Sequence, residues 1–335
     1  MDHAFYMQLA LDQAWKYQLL TYPNPAVGAL VLGPHEEILS IAAHQVAGGP
    51  HAEVLALQEA FALLTNDKQI RVLKQSDEIH DYLMQHHENV FKNCSLYVTL
   101  EPCHNVGKTP ACSKLIETLN IQNIIIGYED KSGAKGGMDH LVTLGRTVTK
   151  GVLSEKCFDL LEPFLFWQDQ RPFTFYKIAQ RLNGTIDGGI ISCETSRRHV
   201  HAIRTVISQI VIGGQTVRED RPVLDSRLVQ GKAPNIKIFS KQKSFDKTIK
   251  LFDIPDRKVE IINDTCKLFD LPLTLVEGGK GTFDAVKTKI DWLLVYQNGS
   301  MGPGLALDAN FNGKILHVEP KGEDYLFWIR RELSE

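Results

Sequence analysis

Four residues carry chemistry most directly: His51, Glu53, Cys103 and Cys112. They stand as His51-Ala52-Glu53, then Pro102-Cys103, then Cys112. One imidazole and two thiolates are donors that zinc prefers, and three donors leave the fourth tetrahedral place to water. Zinc makes such a water acidic near neutral pH, which suits metal-assisted hydrolysis. A carboxylate must then move protons to the leaving group, and Glu53 is placed two residues from the histidine for that role. Each part alone is ordinary, because His-x-Glu arises by chance and a single cysteine usually packs. The joint pattern points to a zinc site.

The elements around these residues would position them. Residues 3–18 have an amphipathic helical pattern with Phe5, Leu9, Ala10 and Trp15. Pro23-Asn24-Pro25 breaks the chain, and 27–32 and 38–43 read as strands around a turn at Gly33-Pro34. Residues 51–64 read as a helix with Pro50 before it, so His51 falls at its start. The apolar run 95–100 reads as a strand that delivers Cys103, and Cys112 precedes a helix at 113–119. A thiolate is stabilised at a helix N-terminus by free N–H groups and the dipole. Residues 123–127 form another short strand, and 65–93 read as a polar surface insertion.

Length and composition set the frame. At 335 residues the chain suggests two domains, with 1–170 and 171–335 as the division and 152–168 as a connecting helix. A net charge of −3 argues against a long basic groove, so no nucleic-acid partner is expected. No apolar run is long enough for a membrane span, and the N-terminus does not read as a signal peptide. The six cysteines are scattered, which suits a reduced, cytoplasmic protein. Alternating helices and strands give an α/β class in both halves.

The second half has its own candidates. Strands at 210–214, 235–240, 273–279 and 292–297 follow 173–179. Gly213-Gly214, followed by Thr216, and Gly278-Gly279 end two of these strands. A glycine pair there is often just a turn, but two in one domain suggest dinucleotide phosphates near the backbone. If ETSRRHVHAIR is helical, Arg197, His201 and Arg204 share one face, where arginine could grip a phosphate. A solvated basic helix is the alternative.

TYPNPAVGALV, HQVAGGPHAEVLAL and TLEPCHNVGKTPAC closely resemble the bifunctional deaminase/reductase family of riboflavin biosynthesis. RPFTFYKIAQRLNG and RTVISQIVIGGQTVREDRPVLDSR resemble its reductase half. The resemblance implies an N-terminal cytidine-deaminase-like α/β/α sandwich and a C-terminal dihydrofolate-reductase-like α/β domain. It implies Zn²⁺ on His51, Cys103 and Cys112, with Glu53 as proton carrier. It implies deamination of 2,5-diamino-6-(5-phosphoribosylamino)pyrimidin-4-one, then NADPH-dependent reduction of ribosyl to ribityl, in a homo-oligomer. Asn24, His44 and Lys108 match substrate contacts of the first step. Lys177, Arg204, Leu224, Arg227 and Glu277 match those of the second, and Ala179, Thr216, Asp220 and Gly279 match positions near NADPH.

The chain also departs from that family. His104-Asn105 stand where Ser-His is usual, and Asp130-Lys131-Ser132-Gly133 where Asp-Pro-Asn-Pro is usual. Arg181-Leu182-Asn183-Gly184 replace Ser-Leu-Asp-Gly, and the next loop is shorter, with Gly188 and Ile190 where a Ser-x-Trp is expected. A deaminase whose second domain only drives oligomerisation is the alternative. A cytidine or tRNA-adenosine deaminase is disfavoured by the eight residues, His104 to Ala111, between the cysteines; two is the usual number.

Overall fold

A computed structural model describes residues 2–105, 107, 109–130 and 136–332. The chain divides into two compact units, Met1–Gln168 and Asp169–Glu335.

The first unit is built on a five-stranded sheet in the order β2-β1-β3-β4-β5. Its strands are β1 (Gly28–Leu32), β2 (Ile38–Ala43), β3 (Ser95–Leu100), β4 (Asn123–Tyr128) and β5 (Thr147–Lys150). β1 is antiparallel to β2 and β3, while β3, β4 and β5 run parallel. Every residue of β1 and β3 is buried, as expected for strands covered on both faces. Helix α1 (His3–Trp15) packs so closely on β1 that a Cβ at Gly28 would lie 1.9 Å from the Ala10 carbonyl oxygen. Helix α6 (Ser154–Gln168) contacts α1 and β4 and carries Pro163 inside it.

Helices α2 (Ala52–Thr65), α3 (Ser76–His86), α4 (Cys112–Thr118) and α5 (Gly137–Thr143) follow one another in contact. Alternate sheet residues Ala29, Val31, Leu96, Val98, Ile124 and Ile126 join one core with α2 and α4. The 65–93 segment is more than a surface insertion. It forms α3, and its Ile70, Ile79, Leu83 and Phe91 are fully buried in that core. The apolar positions are spread over two short elements, so no long period announces them.

The second unit has an eight-stranded sheet in the order β12-β13-β11-β6-β10-β7-β8-β9. The strands are β6 (Phe173–Arg181), β7 (Gln209–Gly213), β8 (Asn235–Phe239), β9 (Val259–Ile262), β10 (Leu273–Glu277), β11 (Trp292–Asn298), β12 (Gly313–Lys321) and β13 (Asp324–Arg331). From β11 through β9 the neighbours are parallel, and β13 and β12 add antiparallel at one edge. Helices α7 (Glu194–Val206), α8 (Gly214–Asp220) and α9 (Lys280–Val286) connect them. Val200 and Ile203 bury one stripe of α7, so it is amphipathic and not a solvated basic helix.

Candidate active sites

The first unit gathers its site at the ends of β3 and α2. His51 caps α2, with Glu53 in the first turn, and Cys112 begins α4. Nδ1 of His51 lies 3.6 Å from Cys103 Sγ and 3.3 Å from Cys112 Sγ. All three ligand atoms fall within 4.8 Å of one another. Bond lengths of about 2.3 Å for Zn–S and about 2.0 Å for Zn–N give a tetrahedral N···S edge of about 3.5 Å, so this donor set fits zinc. The Cys112 backbone N–H donates to Cys103 Sγ at 3.4 Å. The hydrogen bond with the Cys112 thiol, aided by His51, pulls Cys103 down to about 4 despite burial. The same hydrogen bond, with burial, pushes the Cys112 thiol up, so the thiolate is favoured at Cys103 alone.

The remaining nitrogen of His51, Nε2, faces Thr109 Oγ1 at 3.3 Å. Nothing in the sequence marks this hydroxyl as a ligand-orienting group, although a metal-binding histidine needs a partner on its other nitrogen. Glu53 is only 4% exposed, and burial raises its pKa although His51 opposes that. A carboxyl at this place can take a proton and return it. The two other expected contacts adjoin it. Asn24 Nδ2 lies 3.2 Å from His44 Nε2, and His44 Nδ1 lies 2.9 Å from the Pro50 carbonyl oxygen. The His44 and His51 rings meet edge to face at 5.6 Å. Lys108, expected in the loop between the cysteines, lies outside the described residues, as do Lys131, Ser132 and Gly133. His104 contacts the Ser113 hydroxyl at 3.0 Å and lies 4.6 Å from the His140 ring.

The second unit gathers a charged cluster near the ends of β6 and β10. Arg204 reaches from α7 to Glu277 with Nη2 at 3.0 and 3.3 Å from the two carboxylate oxygens. Both side chains are mostly buried, 11% and 13% exposed. Burial alone would raise Glu277, but Arg204 and then Lys177 outweigh it and hold the carboxylate low. Lys177 sits 5.9 Å from the Tyr296 ring centroid and is pushed down by burial. Leu224 is buried with φ 55°, and its carbonyl accepts from Arg257. Arg227 extends outward and pairs with Asp225 at 2.6 Å, while Arg204 Nη1 donates to the Asp225 carbonyl at 3.2 Å.

The positions expected near a dinucleotide are spread along the neighbouring strand ends. Ala179 pairs with Tyr296, and β10 lies directly beside β7, so Gly213 at the end of β7 and Gly279 after β10 belong to adjacent strands. A Cβ built on Gly279 or Gly281 would meet nothing within 4 Å, which leaves open space at that edge. This space fits the dinucleotide expectation. Thr216 is partly buried in α8, and Asp220 ends that helix exposed. The shortened loop after β6 is tied down by Arg181, whose Nη1 donates to the Asp187 carbonyl at 2.7 Å. Ile190 is 76% exposed there.

Residues 1–128 match the cytidine and deoxycytidylate deaminase zinc-binding region. The riboflavin biosynthesis protein RibD of Synechocystis is 31% identical over 255 residues, covering 73% of this chain and 62% of that protein. The RibD of Aquifex aeolicus is 32% identical, with 70% and 60% covered. A diaminohydroxyphosphoribosylaminopyrimidine deaminase/5-amino-6-(5-phosphoribosylamino)uracil reductase from Thermotoga maritima superposes with a TM-score of 0.66 at 26% identity, covering 98% of both chains. The chain is similar to RibD proteins over most of its length. The matched part spans about 60% of the length of the two RibD sequences. As in RibD, a cytidine-deaminase-like unit precedes a reductase-like one, as the resemblance implied. Among the described residues, no helix is long and apolar enough to cross a membrane.

Proposed function

We propose that this chain catalyses two successive steps of riboflavin biosynthesis. The first is hydrolytic deamination of 2,5-diamino-6-(5-phosphoribosylamino)pyrimidin-4-one. The second is NADPH-dependent reduction of the ribosyl group to ribityl. The observation that carries the reading is the convergence of His51, Cys103 and Cys112 within 4.8 Å, beside the buried Glu53.

His51, Cys103 and Cys112 would hold zinc, which when bound supplies Lewis-acid activation of water. Thr109 and the start of α2 fix the His51 ring, so its Nδ1 points to the sulfurs. Glu53 takes a proton from the attacking water and passes protons to the ring nitrogen and the departing amine. The water oxygen joins the pyrimidine carbon, the C–N bond breaks, and ammonia leaves. Asn24 and His44 orient the substrate from one side, and Lys108 is assigned to its phosphate.

In the second unit Lys177, Arg204, Leu224, Arg227 and Glu277 are assigned to the substrate. Arg204 and Arg227 suit the phosphate, while Lys177 and Glu277 suit ribose hydroxyls. Ala179, Thr216, Asp220 and Gly279 are assigned to NADPH, which when bound supplies the reducing equivalents. The buried charges at Lys177, Arg204 and Glu277 favour this over a purely oligomerising domain, because such charges cost stability without a partner.

A homo-oligomer and a cytoplasmic location complete the reading. The edge strand β12, with Ile315 55% and Val318 41% exposed, supports the first. Six unpaired cysteines support the second. Two assays test the enzymology separately. Ammonia should be released from the diaminopyrimidine substrate, and NADPH should be oxidised when the deaminated product is supplied directly. Turnover of cytidine with none of the pyrimidine phosphate would overturn the substrate assignment.

A further inference from the structure

Arg257 stands two residues before β9 and is not among the residues assigned to either reaction. All three nitrogens of its guanidinium donate to backbone carbonyls. Nε reaches the Pro234 oxygen at 2.9 Å, Nη1 the Val223 oxygen at 2.7 Å, and Nη2 the Leu224 oxygen. Nη1 also lies 3.5 Å from the Leu251 oxygen. Burial draws the group down to about 10, with Asp225 opposing this and Arg204 adding to it, so it stays charged at neutral pH.

The segment it grips is 221–234, which joins α8 to β8. The carbonyls of Val223 and Leu224, one on each side of the Leu224 Cα, turn to the same cation. Leu224 itself has φ 55°, in the left-handed region, where a side chain crowds the backbone. A residue other than glycine persists there only when its surroundings hold it. Arg257 supplies that hold by bonding both flanking carbonyls. From the other side α7 secures the same segment. Arg204 Nη1 donates to the Asp225 carbonyl at 3.2 Å, and Arg198 Nη1 donates to the Leu228 carbonyl at 2.9 Å. The stretch that carries Leu224 and Arg227 is therefore fixed between Arg257 and α7.

We infer that Arg257 is a positioning residue for the reduction step. It holds Leu224 in its left-handed turn, keeps the Asp225 carbonyl on Arg204, and so sets where Leu224 and Arg227 meet the substrate. This rests on the reductase reading above. Arginine suits the place because its rigid fork offers five N–H donors to acceptors in different directions. Lysine offers one nitrogen, enough for the two neighbouring carbonyls but not for Pro234 as well. A neutral apolar side chain leaves all of them without the cation.

The test uses full-length protein, wild type, Arg257→Met and Arg257→Lys, with the deaminated product supplied directly. NADPH oxidation gives kcat and the KM of each substrate, and hydrogen exchange is followed over 223–229. Arg257→Met should raise the KM of the pyrimidine about tenfold or more and speed that exchange about tenfold, through the loss of hydrogen bonds from a charged group. Its kcat and its KM for NADPH should stay within about threefold of wild type. Arg257→Lys should bring the pyrimidine KM back to within about threefold of wild type. A wild-type pyrimidine KM in Arg257→Met would overturn the inference. So would a KM for NADPH that rises in step while kcat falls, the pattern of a unit that has lost its packing. Should Arg257→Met fail to fold, Arg257→Gln keeps two N–H donors without the charge, and the same KM shift is expected. Wild-type protein that reduces nothing would sink the reductase reading and the inference with it, whereas an active wild type with an unmoved variant sinks the inference alone.

Discussion

Thr109 Oγ1 lies 3.3 Å from Nε2 of His51, the ring nitrogen turned away from both cysteines. That contact fixes which nitrogen is left for the metal. Replacing Thr109 by valine keeps the shape and deletes the hydroxyl. Zinc affinity should fall about 10- to 100-fold, read by competition with a chelator. Affinity equal to wild type would show that the hydroxyl does not orient the ligand.

Glu53 is assigned the proton transfers and no part in holding zinc. Glu53→Gln should therefore lower ammonia release by about 10²-fold or more while zinc content stays full. Near-normal turnover would remove Glu53 from the mechanism. Loss of zinc in parallel would make it a ligand or a structural support instead.

Arg204 and Glu277 form a mostly buried ion pair of the second unit, and Lys177 adds a second cation to it. Glu277→Ala leaves Arg204 and Lys177 without their counter-charge. Breaking a buried pair from one side costs about 3 kcal/mol or more. The unfolding transition of the second unit should drop accordingly, and NADPH oxidation should fall. Ammonia release should persist. Loss of both activities together would mean that the two units do not function separately.

Three histidines give a pH dependence of stability. Burial lowers His80 and His201 to about 4, and it also lowers buried His199 well below the usual histidine value. An unfolded histidine takes up its proton near pH 6.5. Between 6.5 and about 4 the unfolded chain thus binds protons that the folded chain does not, so stability falls as pH falls. The zinc-loaded protein should show a lower Tm at pH 5 than at pH 7.5, and His80→Gln should flatten that slope. A Tm that holds or rises on acidification would contradict the burial argument.

The sequence reveals those parts of the site that depend on residue type and local spacing. His51, Glu53, Cys103 and Cys112 are uncommon donors at the ends of recognisable elements, and the glycine pairs after β7 and β10 are local too. Arg204 could be placed on a helix face, but its pairing with Glu277 joins residues 73 apart in the chain. No local period encodes that. Thr109 is a polar residue of ordinary kind, and only the folded backbone shows that it faces His51. The core role of 65–93 was hidden because Ile70, Ile79, Leu83 and Phe91 are few apolar residues among many charges. β12 has little apolar signal of its own, because most of its residues are exposed.

The central claim is that both units act in sequence on one substrate. Its most direct test is NADPH oxidation by the purified, zinc-loaded protein given the un-deaminated phosphoribosylaminopyrimidine, with ammonia counted in the same tube. Ammonia should appear first, then NADPH oxidation that depends on it and vanishes in Glu53→Gln. Ammonia without any NADPH oxidation would contradict it and leave a deaminase with a non-catalytic second unit.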